Sequence, residues 1–177
     1  MDIVVKALKF GFGGMNTLEL EYLAAVCKNK KVLELGSHIG QSAYVIASVA
    51  KELHCVDAWI DDCPYLEKVQ SDVYRSQPRG MEEQFDNNTK DFTNIKKIKG
   101  FTSDVVSLTD DDYDIILIDA DHSYNGVKQD ILNYKDKGKH LLFHDYDSNW
   151  VGVQQAVDEF NFVKEGRIDR LLLVRAK

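Results

Sequence analysis

Two short apolar runs end in acid and imidazole. Ile115-Ile116-Leu117-Ile118 leads into Asp119-Ala120-Asp121-His122, and Leu141-Leu142-Phe143 leads into His144-Asp145-Tyr146. Carboxylates hold hard cations, and an imidazole gains or loses its proton near neutral pH. Such a set could bind a divalent ion, move a proton, or orient a reacting group. Apolar runs of this length, bounded by polar residues, read as strands buried on both faces, which belong to parallel sheets. Ligands of open parallel sheets bind just beyond the carboxyl ends of the strands. The spacing therefore predicts two carboxylates and two imidazoles over one crevice, supplied by neighbouring strands.

The elements that position these groups alternate. After a Gly-rich opening, Asn16 followed three residues later by Glu19 makes a capping box for a helix running to about Cys27. Strands are predicted at 31–35, 53–56, 94–99, 114–118 and 141–143. Helices are predicted at 41–50, from Tyr124 through Tyr134, and through Val153, Ala156, Val157 and Phe160. The tail offers two β-runs, Phe162-Val163 and Leu171–Val174, separated by Glu165-Gly166-Arg167 and suited to an antiparallel edge pair. The expected fold is an α/β doubly wound, Rossmann-like three-layer sandwich, with a mostly parallel seven-stranded sheet and an antiparallel C-terminal strand. Residues 1–177 read as one domain, and 60–95 exceed what a crossover needs. That segment is expected to hold one helix through Tyr65, Leu66, Val69 and Val73 and a second over 81–92. It would serve as an inserted lid over an anionic acceptor or as a subunit contact in a homodimer.

Composition narrows the partners. A net charge of −7 argues against a nucleic-acid or anionic-membrane surface, and no apolar stretch is long enough for a membrane span. The opening residues lack the pattern of a signal peptide, and the three scattered cysteines (Cys27, Cys55, Cys63) read as free thiols in a reducing cytoplasm.

Val32-Leu33-Glu34-Leu35-Gly36-Ser37-His38-Ile39-Gly40-Gln41-Ser42 is a strand, a glycine turn and a helix start. Gly36 permits the turn, Gly40 would let a ligand approach the backbone, and the helix start contributes free N–H groups. A dinucleotide loop needs GxGxxG, whereas this one is GxxxG, with Glu34 placed to repel a pyrophosphate and to welcome an ammonium or sulfonium group. Asp57 ends the second strand where a carboxylate accepts hydrogen bonds from ribose, with Ala58 and Trp59 beside it for adenine. In their order these motifs resemble the class I S-adenosylmethionine-dependent methyltransferases. They look closest to the macrocin O-methyltransferase-like and catechol O-methyltransferase-like small-molecule enzymes.

The resemblance implies that Glu34 orients the methionine end of S-adenosylmethionine through the loop. It also implies that Gly36, Ser37, Gly40 and Ser42 line the cofactor, that Asp57 holds the ribose, and that Thr102-Ser103 lies at the adenine edge. Asp119 would meet the cofactor's amino group or a metal. Macrocin-like enzymes end the fifth strand in Asp-Asp-Tyr and bind a divalent metal there; here the tripeptide is His144-Asp145-Tyr146. That alignment gives Asp119, His144 and Asp145 as ligands for Mg²⁺ or, with an imidazole in the set, for Mn²⁺, Fe²⁺ or Zn²⁺. The catechol-like alignment puts Tyr146 in a ligand position instead. His122 stands where the catechol-like enzymes carry a lysine and is the first choice as general base, with His144 the second; a brace for the helix at Ser123 is the plainer role for His122. Tyr146 and Trp150 are possible walls for the acceptor. The expected reaction is methyl transfer to an oxygen of a small sugar or phenolic acceptor. The alternatives are a non-catalytic S-adenosylmethionine-binding module and, more remotely, a nucleotide-dependent dehydrogenase.

Overall fold

The computed structural model describes residues 2–11, 14–60 and 80–176. Among the described residues, the elements in chain order are α1 (Ile3–Ala7), a 3₁₀ turn (Leu8–Phe10), α2 (Thr17–Val26), β1 (Lys31–Leu35), α3 (Gln41–Ala47), β2 (Glu52–Asp57), α4 (Met81–Thr89), β3 (Ile95–Lys99), a second 3₁₀ turn (Val106–Leu108), β4 (Tyr113–Ile118), α5 (Tyr124–Tyr134), β5 (Gly138–Phe143), α6 (Val151–Glu159), β6 (Val163–Ile168) and β7 (Leu171–Arg175).

The strands form one seven-stranded sheet in the order β3-β2-β1-β4-β5-β7-β6. β1 to β5 pair in parallel, β7 runs antiparallel to β5, and β6 antiparallel to β7. This is the expected Rossmann-like sandwich. Alternate strand residues supply two cores, because successive side chains point to opposite faces. Val32, Leu53, Ile115, Leu117 and Leu142 pack with α1, α2, α3 and α4, whereas Leu33, Leu35, Ile116, Ile118, Leu141 and Phe143 pack with α5 and α6. The strand order reverses between β1 and β4, so the loops leaving their carboxyl ends part and open a crevice.

Two local expectations change. The opening is not simply a Gly-rich loop: Asp2 caps α1 by accepting from the Val4 N–H, and Val4 and Ala7 are buried. Glu165-Gly166-Arg167 does not separate the last two strands but lies inside β6, which absorbs it with a bulge between Lys164 and Gly166. The turn is Asp169-Arg170, with Asp169 in the left-handed region at φ 49°. The helix expected through Tyr65–Val73 lies outside the described residues, as does Cys63; Cys27 and Cys55 are buried free thiols. No described helix is long and apolar enough to cross a membrane.

Candidate functional site

The glycine loop is shaped by close packing. Gly36 has φ +92°, and a Cβ there would stand 2.2 Å from the Asp119 carbonyl oxygen, so the β1 turn lies directly on the end of β4. Gly40 has φ +88°, and a Cβ there would meet Phe85 at 3.1 Å and Thr89 at 3.2 Å. The space a side chain would need at Gly40 thus belongs to α4, a packing reason the sequence did not reveal. Asn88 of the same helix donates to the Ile39 carbonyl at 2.8 Å and braces the loop from the side.

Glu34 is fully buried beneath this loop, where it accepts from the Ser42 hydroxyl at 2.5 Å and lies 3.6 Å from the Cys55 thiol. Burial raises its carboxyl to about 7, with Ser37 and Ser42 easing the shift and Asp119 adding to it. Glu34 reaches a ligand only through the loop it supports. The Ser37 hydroxyl is buried beside it without a well-formed hydrogen bond among the described residues. Asp57 accepts from the His38 backbone N–H at 2.8 Å and from the Trp59 N–H at 2.7 Å, which fixes its carboxylate between the ends of β1 and β2. Both donors adopt positive φ, 48° at His38 and 43° at Trp59, the kind of local strain that marks sites. Trp59 itself turns inward: it is buried, its indole N–H donates to the His38 carbonyl, and its ring packs on Phe85. It is a brace for the loop rather than an open face for adenine. Ala58 is half-buried between them.

At the end of β3, Gly100 N–H donates to the Asp57 carbonyl and brings 102–103 towards the same crevice. The Thr102 hydroxyl donates to buried Asp130 at 2.6 Å and its carbonyl accepts from Tyr134, while Ser103 is exposed and bonds Asp104. Burial raises Asp130 to about 7, partly offset by Thr102.

The strand ends of β4 and β5 assemble the densest cluster. His122 Nε2 lies 3.2 Å from Asp119 Oδ1 and 3.1 Å from Asp145 Oδ2. His144 Nδ1 lies 3.0 Å from the same Asp119 oxygen and 3.5 Å from the same Asp145 oxygen. Two imidazoles therefore face one pair of carboxylate oxygens. Asp145 holds this pose at φ 56°, with Arg170 Nη1 donating to its Oδ1 at 2.8 Å. Burial opposes charge on every member, but the partners prevail. Asp119 and Asp145 are held below the usual carboxylate range by the imidazoles, and His122 is raised to about 9 by the carboxylates. His144 is raised for the same reason.

Sequence reasoning missed two members. Glu19, noted only as a helix cap, is fully buried with Oε1 3.4 Å from His144 Nε2, and Arg170 Nη2 donates to its Oε2 at 2.7 Å. Nothing near positions 19 or 170 marked them, since the fold joins them across 151 residues. Trp150 lies against His122, ring centroids 4.6 Å apart, as a wall of the site. Tyr146 does not: it is buried, its hydroxyl donates to Asp158 and accepts from Lys164, and it cannot serve as a ligand. Of the two alignments, the one with His144 keeps all its donor atoms in the cluster.

Asp119, His144 and Asp145 each offer a donor atom within 4.8 Å of the others, which fits a divalent ion. Charge supports the fit: Arg170 pairs with Glu19 and Asp145 while Asp119 faces the imidazoles, so three carboxylates against one guanidinium leave two negative charges for a dication or two imidazolium protons to offset. Glu52, His54 and Asp110 form a second group at the opposite end of the sheet, but Lys31 Nζ lies 2.6 Å from Asp110 and already supplies the cation there. His140, between Asp114 and Glu165, is likewise structural.

The buried groups predict an unusual pH profile. Glu34 and Asp130 have folded values raised above their unfolded ones, so the stability they permit is complete below about pH 4 and lost as pH rises through about 7. His122, facing Asp119, Asp145 and Trp150, adds stability that is complete below about pH 6.5 and lost as pH rises through about 9. Thermal melting of ion-free protein should therefore give a Tm lower by on the order of 5 °C at pH 8.5 than at pH 5, and Asp130→Asn should flatten that slope.

A methyltransferase-domain family profile matches residues 33–146. No curated protein sequence matches. Among solved structures, an S-adenosylhomocysteine-bound methyltransferase from Podospora anserina superposes with a TM-score of 0.68 at 14% identity, over 100% of this chain and 88% of its own. An rRNA methylase from Streptococcus thermophilus gives 0.58 at 12%, over 88% and 92%. Fibrillarin from Aeropyrum pernix, with natively bound S-adenosyl-L-methionine, gives 0.56 at 12%, over 97% and 73%. At these identities the likeness is one of fold.

Proposed function

Since this chain belongs to the methyltransferase-domain family, we propose that it binds S-adenosylmethionine across the ends of β1, β2 and β4 and transfers its methyl group to an oxygen of a small sugar or phenolic acceptor. The observation that carries this reading is the convergence of two half-sites on one crevice. Asp57 and the glycine loop stand on one side of the topological switch point, and the Asp119–His122–His144–Asp145 cluster on the other. The two sides touch where Gly36 meets Asp119.

In this reading Asp57 accepts from the ribose hydroxyls, the buried Ser37 hydroxyl and the loop N–H groups take the methionine end, and Glu34 sets the loop from below. The acceptor lies against Trp150. Its oxygen attacks the methyl carbon in line, the sulfur–carbon bond breaks, S-adenosylhomocysteine leaves, and the hydroxyl proton passes to His122 Nε2. That transfer requires the charge of Asp119 and Asp145 to be offset, because beside the bare carboxylates the imidazole keeps its proton to about pH 9. Asp119, His144 and Asp145 would hold a divalent ion, Mg²⁺ or Mn²⁺, which when bound would supply that compensation and Lewis acidity at the acceptor oxygen. The net charge of −7 favours a small acceptor over RNA, and the free thiols favour a cytoplasmic setting. Within the 60–95 segment, α4 packs in the core against Gly40 and Trp59, on the cofactor side of the crevice.

Radiolabelled methyl transfer from S-adenosylmethionine to a panel of catechols, phenols and sugars, with Mg²⁺ or Mn²⁺, tests the reading. Labelled product is expected, and His122→Ala should lower its rate about 10²–10⁴-fold while S-adenosylmethionine still binds. Binding without transfer by the unaltered protein would favour the non-catalytic module. Full activity in His122→Ala would remove the base assignment.

A further inference from the structure

The buried contact between Glu19 and His144 has no role in capping a helix. Glu19 Oε2 already accepts two hydrogen bonds, from the Asn16 backbone N–H at 2.9 Å and from Arg170 Nη2 at 2.7 Å. Oε1 remains, buried and without a hydrogen-bond partner among the described residues, and 3.4 Å away stands His144 Nε2, equally buried and equally unpartnered. With Arg170 and a backbone N–H on Oε2, the carboxylate is held ionised and can only accept. If Nε2 carried no proton, two lone pairs would face each other out of reach of water, an arrangement with a full desolvation cost and no return. A slight rotation of either side chain closes the contact into an Nε2–H···Oε1 hydrogen bond.

We propose that Glu19 is the positioning residue of His144: it fixes the proton on Nε2 and leaves Nδ1 as the atom presented to Asp119 and Asp145. The inference rests on the divalent-ion reading for its consequence, since a ligating imidazole must offer an unprotonated nitrogen and commonly donates its other one to a carboxylate. Glu19 joins the site to two distant parts of the chain. Its backbone begins α2, and Arg170 at the β6–β7 turn grips it together with Asp145 and the Gly14 carbonyl. The chain's opening segment and its final hairpin thereby set the orientation of a β5 imidazole.

Glu19→Gln tests this with a specific reversal. Its amide oxygen must take the place of Oε2, because two donors already point there, so its NH₂ group turns towards His144 and requires Nε2 to accept. Long-range ¹H–¹⁵N spectra of the His144 ring, with calorimetric titration of Mn²⁺, give the readout. The unaltered protein should show Nε2 protonated with and without Mn²⁺. Glu19→Gln should show Nε2 unprotonated in its metal-free form and bind Mn²⁺ about 10–100-fold more weakly. Asn16→Ala removes the side-chain cap of α2 but not the backbone N–H, and should leave Mn²⁺ affinity unchanged. An unprotonated Nε2 in the unaltered protein overturns the proposal whether or not the variant folds. So does an unchanged spectrum in Glu19→Gln, or a loss of affinity in Asn16→Ala equal to that in Glu19→Gln. Failure of the unaltered protein to bind Mn²⁺ would remove the ion reading, while the reversal of the ring spectrum would still support the assignment of Glu19.

Discussion

Gly36→Ala should lower stability by on the order of 3 kcal/mol and Tm by about 10 °C, and should weaken cofactor binding in whatever remains folded. Two costs add. The backbone stands at φ +92°, and the new methyl group would fall 2.2 Å from the Asp119 carbonyl oxygen and 2.8 Å from the Ala120 Cα. Those atoms are backbone at a strand end and cannot step aside as a side-chain tip would. Relief comes only by parting the β1 turn from β4, which moves Asp119 away from both imidazoles. Gly11→Ala is the natural comparison. It shares a positive φ of +77° with no neighbour within 4 Å among the described residues, so only the backbone cost of about 1 kcal/mol applies. Paired thermal melts of the two variants separate steric overlap from conformational preference.

Asp119→Ala should lower kcat/KM for methyl transfer on the order of 10³-fold and abolish Mn²⁺ uptake. One oxygen of this residue serves both His122 and His144, at 3.2 and 3.0 Å. Its loss strips buried His144 and half-buried His122 of a shared counter-charge and leaves Asp145 as their single acidic partner at the strand ends. Breaking a buried ion pair on one side typically costs about 3–5 kcal/mol, so a fall in Tm should accompany the loss of rate. Asp121→Ala, two residues on, should do neither: it is exposed and accepts from the Ser123 N–H in the turn before α5. Steady-state rates and calorimetry on the pair distinguish loss of the site from general damage to the β4 loop.

The sheet and most of the site could be read from local pattern. β1, β4 and β5 announce themselves as apolar runs, and parallel pairing then places Asp119 beside Gly36 and His144 beside Asp119 without further information. What escaped was non-local or was hidden by a more ordinary role. Glu19 completes a capping box with Asn16, and that explanation sufficed until the fold laid its carboxylate against His144. Arg170 sits in a turn the sequence placed four residues too early, because Glu165-Gly166-Arg167 looks like a turn and only the bulge in β6 lets it remain a strand. Trp59 has the type and position of an adenine wall, yet Phe85 and the His38 carbonyl draw its ring into the core. Gly40 looked like a ligand's clearance and is equally a clearance for α4. In each case residue type restricted the chemistry, and tertiary packing chose among the roles it allowed.

The proposed S-adenosylmethionine site is the crevice between β1 and β4, with Asp57 as its ribose anchor. The decisive measurement is isothermal calorimetry of S-adenosylmethionine against the unaltered protein and Asp57→Ala, with NAD as the competing ligand. Saturable binding of S-adenosylmethionine is expected, at least tenfold weaker in Asp57→Ala, with no heat from NAD. Binding of NAD in place of S-adenosylmethionine, or equal S-adenosylmethionine affinity in the two proteins, would contradict it.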